Sequence, residues 1–472
     1  MKPAEYLAGV AIMLASGFNS IGAPTSPPNL IVILTDDQGY HDVGFNGCKD
    51  IPTPNLDSIA SNGVRFTSGY VAAPLSSPGR AGLLTGRYPE RFGYEHDTPW
   101  QPNNPEAGLP LTESTLADTL SQAGYQAGMV GKWHLGSYPA FHPLKRGFQE
   151  FFGFLGAGHR YFPEELTIEE TRKAKIEYDS WLLWIMSNYK PVKTTNYLTD
   201  EFSNAAVSFI SRHKAKPFFL LVAYNAPHDP LEASEKYLSR FPQILGSHRR
   251  AYAAMMSAVD DGVGSMLAEL RKDGLAEGTM VVYLSAGGGD LSANSSDNYP
   301  LRGSKNYPWE GGWRVPFAMQ WPKQLPKGLV YEQPVLSLDI FATITALAGA
   351  STNPELPLDG VNLIPYLTGQ KTAAPHDAIY LQMPGIGAYA VRSGAYKLVV
   401  AATGQAAKLY DLSKDIAEFK DLADIQPEVV KALEAKHAAW SQQMTFTDSP
   451  GATETNETHP IDTDARILPP QP

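Results

Sequence analysis

Three apolar runs in this sequence each give way to acids or bases. Asn29–Thr35 ends in Asp36 and Asp37, Tyr125–Val130 is followed by Lys132 and His134, and Pro217–Tyr224 is followed by His228. Short continuous apolar runs bounded by turn residues read as buried parallel strands. Ligands of open α/β sheets sit at the carboxyl ends of such strands. Polar groups at three separate strand ends therefore point to one shared site. An isolated Asp pair also suits a solvated turn. Adjacent carboxylates repel unless a cation lies between them, and a hard, oxygen-seeking ion such as Ca²⁺ or Mg²⁺ suits that place.

The elements that must hold these groups alternate along the chain. Thr53-Pro54 opens a short helix through Ala60, and Val64–Val71 reads as a strand. Ser114 or Thr115 can cap a helix through Ala123 before Tyr125–Val130. Asp200–His213 and His248–Lys272 read as helices, and Met280–Ser285 and Phe317–Trp321 as further strands. In the long helix Tyr252, Met255, Met256, Val259, Val263, Met266, Leu267 and Leu270 keep helical spacing, so its methionines are expected in the core. Such alternation predicts an α/β fold: a large doubly wound, mostly parallel sheet flanked by helices. Residues 155–200 have weak periodicity and many aromatics, and are expected to form a wall over one face of the site.

Near residue 375 the pattern changes. Ala378–Gln382, Ala388–Arg392 and Lys397–Val400 read as antiparallel strands, and Pro427–Gln442 as a helix. The expected organisation is an export signal over residues 1–23, a catalytic domain over 24–374, a small C-terminal α+β subdomain over 375–445 and a polar tail over 446–472. Lys2, the apolar Leu7–Ala15 and the small residues through Gly22 and Ala23 carry the signal reading. No later run reaches the roughly 20 residues that span a bilayer. The expected location is secreted or periplasmic. Lys+Arg 38 against Asp+Glu 49 leaves a net charge of −11, which argues against nucleic-acid or anionic-membrane partners. The single Cys48 excludes an internal disulfide framework and a Cys-ligated zinc site.

The segment Pro74-Leu75-Ser76-Ser77-Pro78-Gly79-Arg80, continuing to Thr85-Gly86, is placed after a strand and before a short helix. It resembles the signature of the formylglycine-dependent sulfatases, Cys/Ser-x-Pro-x-Arg followed by Thr-Gly, with Gly79 in place of the usual Ser or Ala. The resemblance runs along nearly the whole chain after the signal, in the same order. It includes Thr35-Asp36-Asp37-Gln38-Gly39, Gly131-Lys132-Trp133-His134, Ala226-Pro227-His228, Leu301-Arg302-Gly303-Ser304-Lys305 and Leu409-Tyr410-Asp411-Leu412. It implies the alkaline-phosphatase-type fold and sulfate-ester hydrolysis.

Within that resemblance Ser76 is the residue oxidised to formylglycine by a maturase. Its hydrate offers one hydroxyl to attack sulfur and a second to expel sulfate, which splits one hard step into two. Arg80 would hold the hydrate, Lys132 and Lys305 would neutralise sulfate oxygens, and His134 and His228 would orient the ester, with His228 favoured as the acid. Asp36, Asp37 and the modified Ser76 would hold the metal, Ca²⁺ or Mg²⁺. His96 and His159 lie in loops that could reach substrate. The implied substrate is a sulfated carbohydrate or aryl sulfate.

One departure stands out. Where the family reads Ser-Asp-Asn-Gly-Gly, with Asp and Asn completing the metal site, this chain reads Ser285-Ala286-Gly287-Gly288-Gly289. Losing one anionic and one neutral ligand weakens a hard-cation site. The leading reading is a sulfuric ester hydrolase. A second is a catalytically impaired homologue that binds sulfated glycans without turnover. A two-zinc phosphatase lacks its histidine spacing here, and an ordinary serine hydrolase lacks a Gly-x-Ser-x-Gly elbow.

Overall fold

The computed structural model describes residues 27–446. The export signal expected over residues 1–23 and the tail after residue 446 lie outside the described residues. Ten strands form the main sheet, in the order Leu329–Tyr331, Val64–Phe66, Phe317–Gln320, Thr279–Ser285, Asn29–Thr35, Phe218–Ala223, Gln126–Lys132, Glu150–Phe154, Ile185–Ser187 and Lys190–Val192. From Thr279–Ser285 to Glu150–Phe154 all neighbours are parallel. Phe317–Gln320 and Ile185–Ser187 flank this block as antiparallel neighbours.

Leu30, Val32 and Leu34 pack into one apolar layer, and Ile31 and Ile33 into the other. A strand buried on both faces has no polar alternation, which is why its sequence is a continuous apolar run. The first layer is covered by the helix Ser76–Thr85, through Leu83 and Leu84. The second is covered by Leu198–His213 and Ser247–Lys272, with Met255, Met256 and Met266 fully buried. Thr115 caps Leu116–Gln122 in a reciprocal box with Asp118.

Four sequence expectations are corrected. The run Val64–Val71 is two short strands, Val64–Phe66 in the main sheet and Gly69–Tyr70 paired with Val335–Leu336 in another. Thr67 and Ser68 carry the chain between them. The Ser76 segment does not precede a helix; it is the helix, with Ser76 its first residue. The strand expected to stop at Val130 runs on to Lys132. Residues 155–200 are more than a wall, since Ile185–Ser187 and Lys190–Val192 extend the sheet edge.

The smaller sheet is a meander of Ile379–Met383, Ala388–Ser393, Tyr396–Val400 and Lys408–Asp411, the last of which the sequence pattern did not reveal. Helix Pro427–Ser441 packs on it through Leu433, and Trp440 stacks on Tyr380 with centroids 5.0 Å apart. This sheet is tied to the larger one by charge. Lys397 Nζ lies 2.9 Å from Glu310 Oε1 and 2.8 Å from Glu418 Oε1, all three side chains fully buried. A buried ion set of this kind fixes how two layers dock more than it adds stability.

Candidate active site

Ser76 opens a fully buried ten-residue helix, so its hydroxyl sits where unpaired backbone N–H groups favour negative charge. Ser76 Oγ donates to Asp36 Oδ1 at 2.9 Å, and Lys132 Nζ donates to Ser76 Oγ at 3.4 Å. Lys132 Nζ also pairs with Asp36 Oδ2. Arg80 lies one turn along the same helix face. Its Nη2 stands 3.2 Å from Asp36 Oδ1, and its Nη1 donates to the Lys132 carbonyl at 3.0 Å. The next serine fixes the turn: Ser77 N donates to Asp97 Oδ1 at 2.7 Å, and Ser77 Oγ to the His134 carbonyl at 2.7 Å.

Asp37 belongs to the same cluster. Lys305 Nζ donates to Asp37 Oδ2 at 2.7 Å, and His228 Nε2 lies 3.6 Å from that oxygen. His228 Nδ1 faces the Asp229 carbonyl at 2.7 Å. Lys305 is carried by a loop pinned by bonds from its own N–H to the Gly289 carbonyl and from the Asn306 N–H to the Pro74 carbonyl. Asp37 and His134 both have left-handed backbones, with φ of 60° and 56°. Such strain in non-glycine residues gathers at functional sites.

Burial and charge set the protonation states. Burial alone would push Asp36 up, but Lys132, Arg80, His228 and Lys305 outweigh it and hold the carboxyl well below the usual range. Asp37 is raised by burial, with Lys305 and His228 opposing. Burial would lower Lys305, yet Asp37 and Asp36 hold its proton more tightly than usual. His134 is pushed well down by burial, then by Lys132 and Arg80, so it is neutral. Both its ring nitrogens are buried without a hydrogen-bond partner.

Asp36, Asp37, Ser76, Arg80, Lys132, His228 and Lys305 thus form one linked set, with His134 joined through its carbonyl and the field of its neighbours. His159 does not reach this set. It is fully buried, with Nδ1 on the Arg160 carbonyl and Nε2 on the Leu183 carbonyl, and so stabilises the fold. His96 is half-buried beside Asp97.

Three residues bordering this set were not singled out from sequence. Asn225 is 2% exposed, and neither its Oδ1 nor its Nδ2 has a partner. The strand register pairs Leu34 with Ala223, so two residues further on Asn225 leaves the sheet beside Asp36. Its place just before Ala226-Pro227-His228 was the available signal. Trp181 stands edge-on to His228 at 6.4 Å, and Tyr161 Oη donates to the His228 carbonyl at 2.9 Å. Residues 155–200 therefore do border the site.

The strand ends also bear on the metal. Thr35 pairs with Ser285, and Ala286 N donates to the Thr35 carbonyl at 2.8 Å, so Ala286 and Gly287 leave the sheet beside Asp36 and Asp37. Among the described residues no group of three or more His, Cys, Asp or Glu side chains converges as a metal site. Of the nearby amides Asn225 is without a partner, while Gln38 and Asn298 are committed elsewhere. Gln38 Oε1 accepts from Thr35 and Tyr283, and Asn298 Oδ1 accepts from the Tyr40 and Gly289 N–H groups. The donor set does not fit a divalent cation, which takes six or more oxygens, several of them anionic.

Comparison with known proteins shows the family. The family model described as Sulfatase matches residues 28–350, and that of N-sulphoglucosamine sulphohydrolase, C-terminal, matches residues 304–443. The chain belongs to the sulfatase family. It is 35% identical to N-acetylgalactosamine-6-sulfatase of Canis lupus familiaris over 79% of this chain and 73% of that protein. It is 36% identical to arylsulfatase J of Mus musculus over 72% of this chain, but spans only 56% of that protein. The crystal structure of Ps i-CgsB in complex with k-i-k-neocarrahexaose superposes with a TM-score of 0.83 at 37% identity, covering 89% of this chain and 94% of that one. Sulfatases generally employ formylglycine and a divalent metal. No helix among the described residues is long and apolar enough to cross a membrane.

Proposed function

We propose that this protein is an exported sulfuric ester hydrolase that removes sulfate from a sulfated carbohydrate, through a nucleophile derived from Ser76. The observation that carries this is the placement of Ser76 Oγ between an anion and a cation, 2.9 Å from Asp36 and 3.4 Å from Lys132, at a helix N-terminus. These surroundings fit formylglycine, because Asp36 accepts a hydroxyl proton while Lys132 donates to a hydroxyl oxygen. Matured by a formylglycine-generating partner, Ser76 supplies a geminal-diol nucleophile. Two relatives favour a sugar over a simple aryl sulfate: one is named for a 6-sulfated amino sugar, and one was crystallised with an oligosaccharide.

The remaining residues have distinct work. Arg80 and Lys132 keep Asp36 ionised, so it orients the nucleophilic hydroxyl by accepting its hydrogen bond. Lys132, Lys305 and Arg80 face the charge that builds on the sulfate oxygens, in a water-poor pocket where such donors act strongly. Neutral His134 can donate a hydrogen bond but holds no spare proton. His228 is the acid: its Nδ1 donates to the Asp229 carbonyl, which leaves Nε2 to carry a proton beside Asp37 toward the leaving alcohol. Trp181 and its segment give the sugar an apolar edge next to that acid. The neighbouring residues do not complete a site for the Ca²⁺ or Mg²⁺ expected from sequence.

The register of Ala286 and Gly287 beside Asp36 and Asp37 favours a second reading, a homologue that binds sulfated glycans without turnover. Sulfate release from a panel of sulfated oligosaccharides and an aryl sulfate, by protein matured in cells with the maturase, separates the two. Release that vanishes in Ser76→Ala supports the hydrolase. Retained oligosaccharide binding with no release leaves the binding protein.

A further inference from the structure

We propose that in this chain fixed ammonium groups take the place of the divalent cation, so that Lys132 and Lys305 neutralise Asp36 and Asp37 and the pocket binds a sulfate ester without metal. The inference rests on the sulfate-ester reading of the site, but its test does not need turnover.

Most of the oxygens that would bind a cation are already engaged, Asp37 Oδ1 and the Asn225 amide oxygen excepted. Asp36 Oδ1 takes Ser76 and Arg80, and its Oδ2 takes Lys132. Asp37 Oδ2 takes Lys305, and the Asp37 carbonyl accepts from Asn294 Nδ2 at 2.9 Å. The other acids nearby are also engaged. Asp42 pairs with Arg249 at 2.7 Å and accepts from Tyr252 at 2.6 Å, while Asp297 pairs with His41 at 2.8 Å.

Charge points the same way. Before His228 is counted, Arg80, Lys132 and Lys305 against Asp36 and Asp37 leave one positive charge in a buried cluster, and a protonated His228 adds to the excess that a sulfate monoester offsets. A bound divalent ion would add two more, and uncompensated buried charge is costly. In the family pattern an aspartate at position 286 offsets part of that charge. Here the side chain that would offset the metal and the oxygens that would bind it are lost together.

A Cβ on Gly79 would lie 2.9 Å from the Ala286 carbonyl, so the Ser76 helix presses directly on this strand end and fixes position 286 beside the nucleophile. A Cβ on Gly287 would meet nothing within 4 Å. The space beyond Gly287 is open, so a restored Asn there has room.

Calorimetric titration with CaCl₂, together with melting curves in EDTA and in calcium, tests this on the full-length protein. The wild type should show no calcium binding up to roughly 1 mM, the weak end of biological calcium sites. Its melting temperature should be the same in EDTA and in calcium, while inorganic sulfate raises it in both. The Ala286→Asp/Gly287→Asn double variant should gain calcium binding and a calcium-dependent rise in melting temperature. Gly287→Asn alone, the milder change, should gain a weaker response. Wild-type binding tighter than about 1 mM, stabilisation by sulfate only when calcium is present, or a folded double variant that still takes up no calcium would each overturn the proposal. Failure to release sulfate would count against the hydrolase reading and leave these binding results standing.

Discussion

Lys132 and Asp36 form a fully buried ion pair that holds the Ser76 hydroxyl from both sides. Both residues stand at strand ends, and the strand Phe218–Ala223 lies between their strands, so the pair closes over the end of an intervening strand. Its counterpart on the outer side is Lys305 on Asp37. The two pairs set cations over the carboxyl ends of central strands.

Removing one partner of such a pair should cost far more than removing both. Lys132→Met leaves Asp36 buried with Arg80 as its remaining close cation. A loss of about 3–5 kcal/mol is expected from denaturant titration. The double variant Asp36→Asn/Lys132→Met should lose less than Lys132→Met alone. Equal losses would mean that the pair does not couple.

Asn225 should behave as a ligand-facing group. Both polar atoms of its amide are buried without a partner, so Asn225→Leu removes no hydrogen bond and relieves an unsatisfied amide, a penalty of about 1–3 kcal/mol. The variant should melt at the same or a higher temperature, with a KM for sulfated oligosaccharide raised several-fold. A structural asparagine would give the opposite pattern, lower stability with unchanged KM.

Stability should carry a signature of Glu90. This carboxyl is buried in the Pro89–Phe92 turn, and burial, with Glu95 and Asp359 nearby, pushes it up to about 8. The folded value lies above the unfolded value of about 4.5, so the protonated acid is the favoured folded form. The stabilising contribution is complete below about pH 4.5 and is lost as pH rises through about 8. At roughly 1.4 kcal/mol per unit, the loss amounts to a few kcal/mol. Glu90→Gln should flatten that part of the pH–stability curve, as read by urea midpoints at pH 5 and pH 8. A curve parallel to wild type would remove Glu90 as its source.

The sequence showed much of this arrangement, for physical reasons. Asn29–Thr35 is buried on both faces, so its continuous apolar run announced a central strand and the strand-end acids with it. The methionines of Ser247–Lys272 kept helical spacing and proved to be core. What sequence could not show depends on tertiary contact. The break at Thr67-Ser68 is defined by different partners, since Val64–Phe66 pairs in the main sheet and Gly69–Tyr70 with Val335–Leu336. Ile185–Ser187 and Lys190–Val192 are half-exposed edge strands with little alternation. Asn225 is defined by the bonds it lacks. The Glu310–Lys397–Glu418 set gathers residues more than a hundred positions apart at its ends.

Ser76, and not Ser77, is the serine proposed to become the nucleophile. The structure separates the two: Ser76 Oγ faces Asp36 and Lys132, while Ser77 Oγ is tied to the His134 carbonyl, Tyr94 and Thr98. Mass spectrometry of the peptide spanning both serines, from protein co-expressed with the maturase, tests the claim directly. The expected product has lost two hydrogens at Ser76, with Ser77 unchanged. A preparation that releases sulfate while Ser76 remains an unmodified serine would contradict the account.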